Sequence, residues 1–255
     1  RLRDAFAKLG IATVQIGTGS SLGREGPTVY ICSSLASGLG RWFAISPVNL
    51  RRLLPVGAAA GIAAAFNAPI AAVTFVIEEL VGDLDQTMLS GVVVAAALAA
   101  VIERTVLGAH PVFQVEHAYG LLHASSLLTY AALGIAAAFV ARFFSDGLLR
   151  VRAAFAVSKI PHFAQPAVGG FVTGALAVVG VVAIHTSGVT GGGYVALSEA
   201  LRGRLPVEVL LVLLALKFGS TIASYSSGGA GGIFAPTLFI GGMLGGAFGH
   251  LVAPR

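Results

Sequence analysis

Long apolar stretches, separated by short clusters of glycine, proline and charged residues, dominate the pattern of hydrophobic and polar positions along this chain. Four of them are long enough to cross the ~30 Å apolar core of a bilayer as helices that rise about 1.5 Å per residue. These predicted spans are 87–107, 125–149, 166–184 and 206–224. The pattern therefore predicts an all-α polytopic membrane protein.

Other apolar segments are shorter and are interrupted by glycine or proline. Proline suits the first turn of a helix, where its missing N–H is not needed. Short, interrupted helices at matching places in two halves of a transporter indicate a midplane binding site. We predict such helices at 1–16, 26–39, 53–66, 69–80, 194–201 and 234–252, with links at 41–52, 83–86, 103–123 and 151–165.

One nine-residue motif occurs twice. Residues 23–31 read Gly-Arg-Glu-Gly-Pro-Thr-Val-Tyr-Ile, and residues 232–240 read Gly-Ile-Phe-Ala-Pro-Thr-Leu-Phe-Ile. Glycine, proline, threonine and the final isoleucine match at the same spacing, and the Val/Leu and Tyr/Phe pairs are conservative. Internal repeats in membrane transporters often meet at the substrate site. We therefore assign residues 1–110 to part of a first repeat and residues 124–255 to part of a second.

The two motifs carry the features of an anion site. A helix N-terminus presents backbone N–H groups and the positive end of the helix dipole. Two such ends attract a small anion without the cost of placing a full cation in lipid. In the second motif the side chains of Ile233 and Phe234 are apolar. Their backbone amides, rather than their side chains, would then bind the ion.

The first motif differs from the second by the carboxylate of Glu25. An ionised carboxylate can occupy an anion site in place of the substrate. A protonated one is neutral, so the site no longer attracts it. Glu25 is therefore a candidate gate and proton carrier. The alternative is a structural pair between Glu25 and Arg24, but adjacent residues are poorly placed to pair on a helix.

Composition supports a lipid environment for the chain. It has 255 residues, of which 56% are hydrophobic and only 11% are charged, whereas a soluble domain carries about 25% charged residues. The net charge is +5, and arginines cluster between apolar runs, as expected of cytoplasm-facing loops. Nucleic-acid binding would need a denser basic face, so no nucleic-acid partner is expected. The single cysteine excludes an internal disulfide.

The motifs at 23–27 and 231–236, Gly-Arg-Glu-Gly-Pro and Gly-Gly-Ile-Phe-Ala-Pro, resemble two of the three anion-site motifs of the CLC family of chloride channels and proton-coupled chloride antiporters. Residues 57–69 are similar to bacterial members of that family. The resemblance implies a CLC-type inverted-repeat fold with broken and short helices. It also implies chloride and protons as the transported ions, no cofactor or metal, a homodimer, and a multi-pass protein of the inner membrane.

The resemblance also assigns roles to residues. Two family features are missing, an upstream Gly-Ser-Gly-Ile-Pro motif and a tyrosine on a later helix, so we expect a core fragment without its N- and C-terminal helices. Fluoride-specific relatives depart from the Arg-Glu-Gly-Pro pattern, so chloride is expected rather than fluoride. Glu25 would be the gating glutamate, and the anion would lie beside the amides of Arg24, Gly26, Ile233, Phe234 and Ala235.

A pair of carboxylates, Glu78 and Glu79, closes the helix that begins at Pro69. Consecutive helical residues point about 100° apart, so at most one of the two faces an internal route. In the family, antiporters carry a glutamate at the second position as the intracellular proton acceptor, and channels have valine or another residue there. Glu79 therefore favours exchange, and a partly buried carboxylate there could trade protons near neutral pH. The alternative is a solvated helix end beside Asp83 and Asp85.

Three other interpretations stay open at this point. A passive chloride channel would use Glu25 as a gate only. A nucleotide site at 17–23 would need the Gly-Lys-Ser/Thr ending of a phosphate loop, which is missing. An intramembrane hydrolase would use one of the glycine-flanked serines as its nucleophile, although no histidine has an obvious place beside them. These serines are Ser20, Ser21, Ser226 and Ser227.

Overall fold

A computed structural model describes residues 2–81, 86–108, 113 and 126–252 of the chain. These residues form ten α-helices and one π-helical turn, Ile77–Val81, which directly follows the fourth helix. The fold is all-α, as predicted. The helices are α1 (Leu2–Gly17), α2 (Glu25–Trp42), α3 (Pro47–Phe66), α4 (Pro69–Val76), α5 (Gln86–Leu107), α6 (Ser126–Val157), α7 (Gln165–Ile184), α8 (Tyr194–Leu201), α9 (Val207–Ser226) and α10 (Phe234–Val252).

Five of the described helices are long and apolar enough to cross a membrane: α5, α6, α7, α9 and α10. Four of them correspond to the four spans that the apolar pattern predicts. The fifth, α10, begins at Phe234 and ends at Val252, where a helix is predicted from the second motif. The prediction of a polytopic membrane fold is therefore confirmed.

The third helix begins earlier than predicted. It starts at Pro47, so the second half of the predicted link at 41–52 is helical, and that prediction is wrong there. Pro47 occupies the first helical position, where the fixed φ of proline suits the helix and its missing N–H costs nothing.

The sixth helix ends later than predicted. It continues to Val157, so the first half of the predicted loop at 151–165 is wrong. Arg150 and Arg152 lie inside this helix, and both are exposed. An apolar helix can contain them because a long arginine side chain carries its charge away from the helix axis. The predicted links at 83–86 and 103–123 lie mostly outside the described residues.

The chain divides into two compact units. Unit 1 comprises residues 1–13 and 24–112. Within it α3 packs against α2, α4 and α5. Its core is formed mainly by small side chains, among them Ala59 and Ala63 of α3 and Val76 of α4. Small residues of this kind let membrane helices approach closely.

Unit 2 comprises residues 14–23 and 113–255. Within it α9 packs against α6, α7 and α10. Its largest core includes Leu213 of α9 with Phe239 and Met243 of α10. Segment 14–23 belongs to this unit although it precedes α2 in the sequence. The division into repeats at 1–110 and 124–255 stays a prediction.

One glycine of unit 1 lies in a close helix contact. A Cβ added at Gly57 of α3 would lie 2.5 Å from the carbonyl oxygen of Cys32 and 2.8 Å from Cα of Ser33, both on α2. Real Cβ atoms do not approach backbone atoms so closely. Any larger residue at this position would therefore push α2 and α3 apart.

We expect Gly57→Ala to lower the thermal stability of the full-length protein, because the added methyl group would overlap the backbone of α2. Overpacking of this kind costs about 1–3 kcal/mol. The midpoint of thermal aggregation in detergent measures the effect. Gly10→Ala in α1 is the matched control, since a Cβ there meets nothing within 4 Å. Equal midpoints for the two variants would contradict the close contact at Gly57.

Candidate functional site

The first motif forms the beginning of α2 in unit 1. Glu25 is the first residue of this helix, and Pro27 is the third, within the first turn as predicted. The carbonyl oxygen of Arg24 accepts hydrogen bonds from the N–H and from Oγ1 of Thr28, at 3.0 and 2.8 Å. Only 5% of Glu25 is exposed. Its carboxyl group is therefore not a solvated surface acid.

The preceding arginine is held within unit 1. Arg24 is the N-cap of α2, and its guanidinium group donates a hydrogen bond to the carbonyl oxygen of Ala65 at 3.2 Å. Ala65 lies in the last turn of α3. Carbonyl groups at a helix C-terminus carry the negative end of the dipole, which favours a cation there. This contact ties the beginning of α2 to the end of α3.

The second motif forms the beginning of α10 in unit 2. Phe234 is the first residue of this helix, and Pro236 is the third. The N–H of Thr237 donates to the carbonyl oxygen of Ile233 at 2.9 Å, and its Oγ1 donates to that of Phe234 at 2.8 Å. Ala235 is buried. Each motif therefore starts its helix at the same motif position, with proline as the third helical residue.

The first glycines of the two motifs pair directly inside unit 2. Gly23 and Gly232 form an antiparallel backbone bridge in which the N–H of each donates to the carbonyl oxygen of the other, both at 2.7 Å. The backbones around the bridge are in close contact. A Cβ added at Gly231 would lie 2.5 Å from Cβ of Leu22 and 3.0 Å from the carbonyl oxygen of Gly23. Equivalent residues of the repeated motif are thus joined reciprocally.

Four buried hydroxyl groups hold the segment that leads to this bridge. The N–H of Ser21 donates to Oγ of Ser224 at 3.0 Å, and Oγ of Ser21 lies 3.0 Å from Oγ1 of Thr221. Oγ1 of Thr173, on α7, lies 2.7 Å from Oγ of Ser224. Buried polar groups are costly unless they are paired, so this hydroxyl network specifies how segment 20–23 packs. From the sequence alone Ser21 is only a candidate nucleophile, and no local pattern indicates this hydrogen-bonding role.

Two more of the glycine-flanked serines, Ser226 and Ser227, are engaged in structural hydrogen bonds. Oγ of Ser226 donates to the carbonyl oxygen of Leu148 at 3.1 Å, and Oγ of Ser227 donates to that of Ser224 at 3.1 Å. Within the described ranges none of these hydroxyl groups is hydrogen-bonded to a histidine. The same ranges contain no cluster of three His, Cys, Asp or Glu residues that could hold a metal ion.

The carboxylate pair Glu78 and Glu79 lies in the π-helical turn Ile77–Val81 of unit 1. Both Glu78 and Glu79 are exposed, so the expected partial burial of Glu79 is wrong. A π-helical turn contains more residues than an α-helical one, and such turns are frequent at functional sites. The sequence pattern predicts a continuous α-helix here and gives no sign of the π turn.

The predicted anion-site residues all lie at or next to a helix start, three in each unit. Gly23 and Gly232, the first residues of the two motifs, both belong to unit 2 and are hydrogen-bonded to each other there. The roles of these residues stay predictions. In unit 1 the residues are Arg24, Glu25 and Gly26, and in unit 2 they are Ile233, Phe234 and Ala235.

Comparison with known proteins supports the resemblance seen in the motifs. Residues 1–255 match the model of the family described as "Voltage gated chloride channel". A ClcB-like chloride channel protein of Ralstonia nicotianae is 34% identical over 259 residues, which cover 99% of this chain and 59% of that protein. The H(+)/Cl(-) exchange transporter ClcA of Salmonella arizonae is 32% identical, with 93% of this chain and 50% of the transporter covered. The chain thus spans about half the length of these curated relatives.

The described fold matches a solved structure over most of its length. The X-ray crystal structure of a slow cyanobacterial Cl⁻/H⁺ antiporter superimposes with a TM-score of 0.81 at 30% sequence identity, covering 94% of this chain and 56% of the antiporter chain. Together with the five apolar spans, the bacterial relatives identify a multi-pass inner-membrane protein. Because the family model covers the whole chain, and the fold and both motifs agree with it, the chain belongs to the CLC family of voltage-gated chloride channels and transporters, and is of the bacterial type.

Proposed function

We propose that the full-length protein exchanges chloride for protons across the membrane and binds chloride at the beginnings of α2 and α10. The observation that carries this proposal is the reciprocal bridge between Gly23 and Gly232. It joins equivalent residues of the two motifs, each two residues before its helix begins. By the resemblance to the family, we infer that backbone amides of both motifs bind one small ion.

Backbone amides supply the attraction for the anion in this proposal. The first amides of an α-helix have no acceptor within the helix, and the helix dipole adds positive potential there. The side chains of Ile233 and Phe234 add no charge of their own, so the ion is held loosely enough to leave again. The binding amides are those of Arg24, Gly26, Ile233, Phe234 and Ala235.

Glu25 couples chloride to protons in this proposal. Its position as the first residue of α2 places a carboxylate where the helix dipole favours negative charge, which is also where an anion would bind. An ionised Glu25 therefore competes with chloride, and a protonated Glu25 gives up the site. Because one site accepts either the carboxylate or chloride, uptake of a proton and binding of chloride depend on each other.

Glu79 supplies the proton on the other side of the membrane in this proposal. Its exposure means that it exchanges protons directly with water, so it acts as an entry point rather than as a buried relay. ClcA and the cyanobacterial protein are exchangers of chloride and protons, which supports proton coupling as the proposed function. By the same family resemblance, we propose that the protein is a homodimer in the lipid bilayer, with chloride and protons as its ions and no cofactor.

A passive chloride channel is the second candidate function. The family is described as a voltage-gated chloride channel and the Ralstonia nicotianae relative is named a chloride channel protein, and both descriptions favour this candidate. In a channel Glu25 would act as a gate only, and Glu79 would carry no protons. The named relatives are transporters or channels rather than enzymes, so they give no support to the hydrolase alternative.

We expect Glu79→Gln to keep chloride flux and to lose proton movement, because the amide cannot take up a proton. Paired chloride and proton fluxes from the full-length protein in liposomes measure both ions. Glu78→Gln is the matched control, since Glu78 is the neighbouring exposed carboxylate of the same π turn, and it should retain coupling. If the wild-type protein moves chloride with no proton movement, the antiporter proposal is wrong and the channel stands.

We expect Glu25→Ala to transport chloride without protons and without dependence on pH. In the wild-type protein chloride turnover should rise as the pH falls, because protonation removes the carboxylate from the anion site. Chloride efflux from liposomes at several pH values measures the difference. Glu208→Ala removes an exposed first-turn carboxylate of α9 and should behave as wild type. Proton coupling that survives in Glu25→Ala would refute the gate assignment.

A further inference from the structure

A fully buried lysine lies near the middle of one membrane-crossing helix of unit 2. Lys217 belongs to α9 (Val207–Ser226), and 0% of its surface is exposed. A cation inside a membrane protein is costly, and such residues usually have a function. None of the transport steps proposed above uses Lys217.

Backbone carbonyl groups of one turn surround the ammonium group of Lys217. Its Nζ lies 3.3, 3.1, 3.4 and 2.5 Å from the carbonyl oxygens of residues 188–191, in that order. Nζ also lies 5.1 Å from the ring centroid of Phe239 on α10, which is a cation–π distance. Within the described part of the chain its hydrogen bonds all go to carbonyl groups. The three ammonium donors are thus committed to the turn that joins α7 to α8.

Glycines give this turn the shape that brings its carbonyl groups together. Gly191 and Gly193 have φ angles of +56° and +74°, in the left-handed region that side chains disfavour. A Cβ added at Gly188 would lie 2.9 Å from Cβ of Ala196, and one at Gly193 would lie 2.5 Å from Cδ2 of Phe239. The turn is therefore closely packed, and Lys217 satisfies carbonyl groups that no regular helix or strand would satisfy.

The other side of the turn contacts the segment that leads to the first motif. The N–H of Gly191 donates to the carbonyl oxygen of Ser20 at 3.1 Å. A Cβ at Gly19 would lie 3.5 Å from the methyl group of Thr190. Ser20 comes directly before the hydroxyl network and the bridge at Gly23. Consecutive hydrogen bonds therefore connect Lys217 to the backbone that precedes Glu25.

We propose that Lys217 is a positioning residue for coupled transport, which holds turn 188–191 against segment 20–23 and thereby fixes the paired backbone from which the helix of Glu25 begins. This inference rests on the proposed function for its effect on transport. The physical reason is that removal of the ammonium group takes a hydrogen-bond donor from the carbonyl groups of residues 188–191, of which that of Val189 also accepts from Oγ of Ser220, at 3.5 Å. The turn must then rearrange to satisfy them, and its contact with Ser20 changes as a consequence.

The test compares three substitutions of Lys217 in the full-length protein. Lys217→Met removes the charge and all donors at similar length, Lys217→Gln keeps an amide donor without charge, and Lys217→Arg keeps both charge and donors. Lys159→Met is the control, because Lys159 is an exposed lysine of the same unit. Hydrogen exchange of peptides covering 18–23 and the ratio of protons to chloride moved in liposomes are measured for each variant.

We expect the Met and Gln variants to exchange the amides of 18–23 about tenfold faster than wild type, since local opening becomes easier. Their proton-to-chloride ratio should fall at least about twofold. Lys217→Arg should restore both quantities, and Lys159→Met should change neither. An unchanged ratio in a folded Met or Gln variant overturns the proposal. A changed ratio without faster exchange at 18–23 also overturns it, because Lys217 would then act through its charge alone.

Two further outcomes are also decisive. If neither the Met nor the Gln variant folds while Lys217→Arg does, Lys217 serves folding alone, and the positioning role is wrong. If the wild-type protein moves chloride without protons, the proposed function fails. The exchange measurement then decides separately whether Lys217 supports segment 20–23. A failure of this inference is therefore distinguishable from a failure of the proposed function.

Discussion

The two hydrogen bonds between Gly23 and Gly232 are the constraint on which both repeated motifs depend. In lipid every backbone N–H and carbonyl group needs a partner within the protein, and a broken helix leaves some of them without one. The reciprocal bridge satisfies one donor and one acceptor at each break. It requires close backbone approach, which the glycines around Leu22 permit: a Cβ at Gly229 would lie 2.6 Å from Cδ1 of that leucine. Two non-helical segments can therefore persist in a protein whose surroundings are largely apolar.

Unit 2 satisfies its other irregular backbone with buried polar side chains. In segment 20–23 the N–H of Ser21 donates to a hydroxyl group of α9, which is in turn hydrogen-bonded to Thr173 of α7, and turn 188–191 accepts from the ammonium group of Lys217. Both solutions place a polar side chain inside a helix that is otherwise apolar. Exposing any of these side chains to lipid would cost free energy, yet each is needed where the backbone that it contacts is not helical. The buried residues Lys217, Thr221 and Ser224 of α9 are thus explained by the non-helical segments that they contact rather than by solvent.

The repeated motif, its proline in the first turn and the spans of α5, α7 and α9 follow from the sequence because apolar length and motif spacing are local signals. Other features depend on tertiary context. The arginines at the end of α6 predict a loop from the sequence, whereas in the structure they are exposed residues of a helix. The π turn at Glu79 has the same apolar pattern as an α-helix. The partners of Lys217 are 26 to 29 residues away in sequence, and only packing of the turn on α9 brings them together.

The two kinds of positive charge in unit 2 serve different purposes. A full cation binds an anion strongly, and a strongly held ion crosses a membrane slowly. The donors of Lys217 are instead committed to carbonyl groups and its charge lies against the ring of Phe239, so this cation is used for structure. The beginning of α10 offers only the partial charges of backbone amides among apolar side chains. Partial charges suffice to replace part of a hydration shell without trapping the ion. In the proposed function, this separation of the structural cation from the helix dipole is what allows a small anion to be bound and released.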